Sequence, residues 1–359
     1  MSRVKTTSNA SSQPVVFGQL DKSMTPFEVS HSKLKLARRC LKAYDYKYLQ
    51  KLGKRLKSRP LLVGSLVHEC LEMWFKEGHY MPAITKWKEG EYSKMFAEER
   101  ALHADVIPLT KHLIRGYISN WNELGFEMVW VEKEFRVEIH DGIFLVGNID
   151  GRAKEGKKFT WLVEHKTAKK MPGEEMRIND TQVVLYDAVL PMIGEPPVTG
   201  VMWDYLRTKL PTKPDLLKSG GLSKAKNIDT TREVYLREIH RHGLDPRGYT
   251  DMLEHLAERR DQFYRQIKLP INRITGQNVL EDAVVTANLL IFLTSLRIVY
   301  PDGPNPFTRN LTRDCSWCDF QPLCHAEFRG EDTTYMRKHD YIVRVKHADE
   351  KTVIEVDPE

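Results

Sequence analysis

Apolar positions recur at helical spacing early in the chain and at strand spacing in its middle. In "GSLVHECLEMWFKEGH", Leu66, Val67, Cys70, Leu71, Trp74 and Phe75 form one helical stripe, with His68 and Glu72 one turn apart beyond its edge. Upstream, Ser30 or Ser32 suits the N-cap of a basic helix that ends near Leu52-Gly53. More helix is expected through Trp121, with "KHLIRGYISNW" its clearest segment. The period changes at Phe126. "FEMVWVEKEFRVEIH", the Asp141-Gly142 turn and "IFLVGNID" read as a hairpin, and "GRAKEGKKFTWLVEHKT" returns through Gly156 into a third strand. "NDTQVVLYDAVLPMIG" then reads as a helix capped at Asn179 or Asp180, and "VTGVMWDYLR" as a further strand. "GYTDMLEHLAERRDQFYRQIK" and "NVLEDAVVTANLLIFLTSLRIVY" look helical, and no internal repeat is visible. Helices, then strand–strand–strand–helix–strand, then helices predict an α/β or α+β class.

Composition narrows this only a little. The 359 residues, 41% hydrophobic and 29% charged, suit a soluble globular chain with ample core. No apolar run looks long enough to cross a bilayer, and the polar N-terminus lacks a signal-peptide core, so cytoplasmic residence is the default expectation. The net charge of +6 suits a polyanion partner. Six of the 55 Lys and Arg residues fall between Arg207 and Lys226 with one acid, Asp215. That loop reads either as ordinary solvated surface or as a flexible basic arm for phosphates.

The stretch "FLVGNIDGRAKEGKKFTWLVEHKTAKK" carries the chemistry. Alternation in a strand projects Glu164 and Lys166 to one face and His165 to the other, while Asp150 closes the preceding strand beside them. Trp161, Leu162 and Val163 make this strand a buried one, and buried charges need a reason. Two converging carboxylates repel unless a cation or shared proton intervenes. A hard divalent ion, Mg²⁺ or Mn²⁺, answers that need and can polarise a phosphoryl oxygen. A plain cross-strand salt bridge between Glu164 and Lys166 is the bland alternative.

Asp150, then Glu164-x-Lys166, then Gln182-x-x-x-Tyr186 on the following helix resembles the PD-(D/E)XK nuclease superfamily, in its RecB-type branch. "SHSKL…C" and "VGSLVHECLE" are similar to the same branch, whose first motif helix supplies a histidine at the position of His68. The resemblance implies a restriction-endonuclease-like mixed sheet flanked by helices. It also implies a metal held by His68, Asp150, Glu164 and the main-chain carbonyl of His165. Lys166 would be the catalytic lysine, with Gln182 and Tyr186 near the DNA backbone and the active site. Glu134 is a weaker candidate. The segment reads "GNIDG" without the motif's proline, and its last acidic residue is Glu.

Cys315-x₂-Cys318-x₅-Cys324 leaves one vacancy for a tetrahedral metal or a [4Fe–4S] cluster, which Cys40 would fill if the chain's two ends pack together. His325 is an alternative fourth ligand to zinc. The one-early, three-late layout resembles iron–sulfur members of the RecB-type branch, including AddB-like subunits and CRISPR-adaptation exonucleases, and implies an iron–sulfur clasp. Cys70 lies on the apolar stripe as a core thiol.

The expected organisation is a lead at 1–25, one nuclease domain at 26–330 and a polar tail at 331–359. Within that domain the catalytic core spans about 60–207, a helical insertion about 207–300, and the cysteines 315–324. The expected activity is metal-dependent DNA cleavage, as an exonuclease on single strands or DNA ends. The competing expectation is a non-catalytic DNA-binding or scaffold subunit; a zinc-stabilised binding protein is a third. Without G-x-x-x-x-G-K-[ST] there is no P-loop, so unwinding would need a separate helicase or recombinase.

Overall fold

The computed structural model describes residues 26–177, 180–346 and 353–356. The expected lead at 1–25 and the candidate cap Asn179 lie outside them.

The chain enters on β1 (Phe27–Val29) and α1 (His31–Arg39), capped by Ser30 through a bond from Lys33 N at 3.3 Å. The expected basic helix does not run on to Leu52. It breaks at Cys40, whose extended backbone (ψ 114°) separates α1 from a short helical segment, and β2 (Leu52–Lys54) follows. Next come α2 (Arg59–Glu77), stopped by Gly78 in a left-handed conformation (φ 77°), and α3 (Val106–Leu124). β3 (Phe126–His140) and β4 (Ile143–Glu155) form the expected hairpin, with Gly142 taking the positive φ (70°) of the turn. β5 (Phe159–Ala168), α4 (Thr181–Val189) and β6 (Gly200–Arg207) complete the strand-rich middle.

Beyond it lie α5 (Arg232–Arg241), α6 (Thr250–Glu258), β7 (Tyr264–Pro270), α7 (Arg273–Val299) and α8 (Gln321–Phe328). β7 corrects the sequence expectation, which continued α6 through Lys268. Its residues pair antiparallel with β6 from Gly200↔Pro270 to Leu206↔Tyr264, and that ladder overrides local helix propensity. The segment expected as a polar tail carries α9 (Thr334–Asp340), β8 (Tyr341–Lys346) and β9 (Val353–Val356). β2, β8 and β9 form a small antiparallel sheet.

The main sheet is mixed, in the order β1-β4-β5-β6-β7 with β3 along the other edge of β4. β5 and β6 run parallel and β4 and β5 antiparallel. Helices cover both faces. On one face α2 and α3 pack Leu66, Val67, Leu113 and Tyr117 against Val163 and Met202. On the other, α4 and α7 pack Val183, Leu185, Ala283 and Ala287 against Leu162, Val201 and Trp203. Each fully buried Leu or Val contributes roughly 1.5–3 kcal/mol, which holds the charged ends of β4 and β5 in place. Trp203 and Tyr205 are buried core residues, closed to stacking on bases.

The sequence expectation that no apolar run approaches membrane length needs correction. α7 is long and apolar enough to cross a bilayer, with mean hydropathy 1.7 over its most apolar window. Here its Val279, Ala283, Ala287 and Ile291 cover the sheet. Between β6 and β7 a satellite core forms from Leu222, Tyr235, Ile239, Tyr249, Met252 and Leu256. The basic loop leading into it is tethered, unlike a free arm. Leu222 is buried, Lys224 Nζ donates to Gly248 O at 2.7 Å, and Arg207 pairs with Asp229 at 2.6 Å.

Candidate active site

The β4–β5 ladder stops at Gly151↔Val163, and the catalytic candidates lie where the two strands part. Asp150 fills the opening. Its Oδ2 accepts the His165 backbone N–H at 2.8 Å, a bond that a continuing ladder would have taken. Alternation does what the sequence implied. Glu164 and Lys166 face α4, while the His165 ring is buried on the α3 side, with Tyr117 Oη 3.1 Å from its Nε2.

α4 begins at Asp180, whose side chain accepts from Gln182 N at 3.1 Å. One turn apart on its inner face, Gln182 and Tyr186 meet the strand. Gln182 Nε2 donates to Glu164 Oε1 at 2.9 Å and lies 3.4 Å from Tyr186 Oη, while Lys166 Nζ reaches Gln182 Oε1 at 3.5 Å and pairs closely with Glu164. His68 arrives from α2, its Nδ1 3.6 Å from Asp150 Oδ2, and its ring contacts the main chain at His165.

The structure adds Glu132, where the sequence pattern had pointed to Glu134. Glu132 falls between the pairs Val131↔Gly151 and Lys133↔Ile149, opposite Asp150, and its backbone is left-handed (φ 49°). Ligand atoms of His68, Glu132 and Asp150 lie within 4.8 Å of one another. Glu134 instead pairs with Asn148. Both glutamates share one parity of β3, so only the cross-strand register distinguishes them.

Electrostatics at the site are those of an unrelieved acidic group. Burial raises the Asp150 carboxyl to about 6, with the His165 N–H and Lys166 pulling the other way. Burial and then the Asp150 charge take Glu164 to about 7, and the same two causes take Glu132 to about 8. Desolvation lowers His68, leaving a neutral imidazole. Lys166 is also desolvated, but Glu164 and Asp150 more than compensate and raise it, so it remains an ammonium. The Glu132 and Asp150 carboxylates and the neutral His68 imidazole converge, with Glu164 beside Asp150, and these are donors suited to a hard divalent ion.

Behind His165, Tyr117 Oη donates to Asp204 Oδ2 at 2.8 Å, and Gln266 Nε2 lies 3.4 Å from the same oxygen. This buried chain from β6 and β7 fixes the residue between Glu164 and Lys166. It has no signature in the sequence, because Tyr117 and Asp204 are far apart along the chain.

Elsewhere, Cys40, Cys315, Cys318 and Cys324 border one small cavity beside Tyr46, Phe320 and His325. All five cysteines are free thiols, and Cys70 is buried as expected. Among the described residues, the thiols do not form a group of three ligand atoms within 4.8 Å, as the acidic residues do.

A mixed sheet sandwiched between helices, with acidic residues gathered where two strands diverge, defines an α/β protein with a candidate divalent-metal site. The family model described as the PD-(D/E)XK nuclease superfamily matches residues 28–325, and the chain belongs to that superfamily. No curated protein matches the chain. Among solved structures it is similar to one titled "Crystal structure of SSO0001", at 10% identity and a TM-score of 0.27, over 82% of this chain and 95% of that one. A likeness that distant carries no argument.

Proposed function

We propose that the protein is a metal-dependent DNA nuclease acting as an exonuclease on single strands or DNA ends. The observation that carries this reading is the convergence of Asp150 and Glu164, both buried and both raised, with Lys166 and His68 at the break in the sheet. Asp150, Glu164, His68, Glu132 and the His165 carbonyl would hold Mg²⁺ or Mn²⁺. When bound, such an ion supplies a polarised phosphoryl oxygen and an acidified water. Lys166 donates to the attacking water or to the phosphate as its charge grows. Gln182 holds Glu164 and Lys166 in register, and Tyr186 presents a neutral phenol at the same face. Lys35, Arg38 and Arg177, around a cleft beside α4, supply contacts to the DNA backbone.

We take 26–330 as one cytoplasmic nuclease domain, with a separate helicase or recombinase providing any unwinding. We also assign a [4Fe–4S] cluster to Cys40, Cys315, Cys318 and Cys324. What supports this assignment is the one-early, three-late spacing together with the cavity that the four cysteines border. Zinc at the same cysteines, with His325 as an alternative fourth ligand, is the competing reading.

The test is cleavage of end-labelled single-stranded and blunt duplex DNA with Mg²⁺, Mn²⁺ or chelator. Lys166→Ala and Glu164→Ala should each reduce the rate on the order of a hundred- to a thousandfold. DNA binding without cleavage under any metal would favour the scaffold-subunit alternative. Cys40→Ala should lose iron and solubility together. Full iron retention in that variant would sink the four-cysteine assignment.

A further inference from the structure

β6 carries one charged side chain within its buried run. Asp204 lies between Trp203 and Tyr205 and is 1% exposed. Its Oδ2 takes both of its bonds, from Tyr117 Oη at 2.8 Å and from Gln266 Nε2 at 3.4 Å, while Oδ1 is buried with no partner among the described residues. A carboxylate half satisfied in this way is a poor stabiliser, and an apolar side chain of similar size would cost the fold less. Asp204 therefore needs a reason outside stability.

That reason lies in the direction of one chain of hydrogen bonds. β5 and β6 pair in parallel with His165 beside Asp204, so both side chains project towards α3, where Tyr117 bridges them. A phenol has one proton to give. Tyr117 gives it to Asp204, so its oxygen can only accept from His165 Nε2, 3.1 Å away. Nε2 must then carry the hydrogen. Burial, His68 and Lys166 keep the ring neutral, and a neutral imidazole has only one N–H. Nδ1 is therefore bare. It faces Asp150 Oδ2 at 3.9 Å, the oxygen that already accepts the His165 backbone N–H and lies 3.6 Å from His68 Nδ1. In the opposite tautomer, Nδ1–H would be a donor one small ring rotation from that oxygen, in competition with a cation.

We propose that Asp204 is a positioning residue for the acidic site: by taking the Tyr117 proton it holds His165 as the Nε2–H tautomer and presents Asp150 with a bare nitrogen in place of a donor. Asp150 Oδ2 then keeps a lone pair for a metal ion, and the facing nitrogen lone pair adds to the negative potential that a cation relieves. The proposal rests on the reading of Asp150 as a metal ligand.

Two substitutions reverse the chain. Asp204→Leu leaves the Tyr117 proton one acceptor, His165 Nε2. Tyr117→Phe removes the acceptor that Nε2–H needs, so Nδ1–H facing Asp150 is favoured there too. The test reads tautomer and metal affinity separately, at about pH 8, above the value of about 7 to which burial raises Asp204. Long-range ¹H–¹⁵N spectra of the histidine-labelled full chain give the tautomer, with the His165 signals assigned by their loss in His165→Asn. Calorimetric titration with Mn²⁺ gives the affinity. Wild type should show Nε2–H. Both variants should show Nδ1–H and bind Mn²⁺ about 10- to 100-fold more weakly. A merely structural Asp204 would lower the melting temperature on substitution and leave the tautomer where it was. Nδ1–H in the wild type, an unchanged tautomer in both variants, or a reversed tautomer with unchanged Mn²⁺ affinity would each overturn the proposal. Wild type with the expected tautomer but no Mn²⁺ binding would overturn the metal reading beneath it.

Discussion

Two buried groups of charges in this molecule are built on opposite plans. Where the chain's ends meet, Asp45 is fully buried yet receives Lys42 at 3.3 Å, Gln50 at 2.9 Å, Asn305 at 3.1 Å and Arg297. Nearby, Glu327 accepts from Tyr46 Oη at 2.6 Å and pairs with Lys42, Arg309 and Arg337. Burial would raise Glu327, but the Tyr46 and Arg337 bonds and the Lys42 charge outweigh it and lower its pKa. At the break between β4 and β5 the balance is reversed. The Asp150 charge acts on Glu164 on one side and on Glu132 on the other, with Lys166 beside Glu164 and Asn148 and Lys76 only partly offsetting Glu132, and all three carboxyls are raised. A purely structural role gives no reason to leave like charges so poorly offset. The first group holds the chain together; the second leaves a place for a cation.

Breaking the closed group should have the largest effect on folding. Asp45→Ala removes the fully buried acceptor shared by Lys42, Gln50, Asn305 and Arg297, leaving Lys42 to Glu327 alone, and should destabilise by about 3 kcal/mol in a denaturant melt. The metal concentration that half-saturates cleavage should stay the same. A parallel shift in that concentration would mean that the two regions are not independent.

The open group should respond to pH with the opposite sign. Carboxyls raised in the fold bind protons more tightly there than in the unfolded chain. Without metal, the cost at Asp150 and Glu164 is therefore present above about pH 7 and relieved as pH falls towards the unfolded values near 4, while Glu132, raised to about 8, adds its cost only above that. Each of Asp150 and Glu164 accounts for on the order of 3 kcal/mol. Glu327 works the other way, stabilising above its unfolded value and losing that contribution as acid protonates it. Metal-free protein should thus melt higher at pH 5.5 than at 7.5, and Mn²⁺ at pH 7.5 should recover the difference. A flat profile, or no effect of Mn²⁺, would remove the electrostatic case for a cation.

The smallest effect separates two neighbouring glutamates. Glu132→Ala should raise the metal concentration needed for cleavage by roughly tenfold, whereas Glu134→Ala should leave it nearly unchanged. Equal effects would mean that the register of β3 does not select between them.

Much of the candidate site was legible because its rules are local. Strand alternation alone puts Glu164 and Lys166 on one face, and one helical turn alone puts Gln182 beside Tyr186. Glu132 was not legible, since a shift of two residues in pairing would put Glu134 opposite Asp150 in its place. β7 escaped because its residues look helical until β6 lies beside them. The terminal segment looked like a polar tail until β2 paired with β8.

By itself, then, the sequence determined the class of fold, the strand carrying Glu164 and Lys166, and the early and late cysteines. These follow from short-range periodicity and the cost of burying charge. Only the tertiary structure decided which glutamate faces Asp150 and that Tyr117 and Asp204 brace His165. It alone brought Cys40 to the same cavity as Cys315, Cys318 and Cys324. Each of those depends on the register or docking of elements far apart in the chain, where packing of the whole core selects among pairings that are locally equivalent.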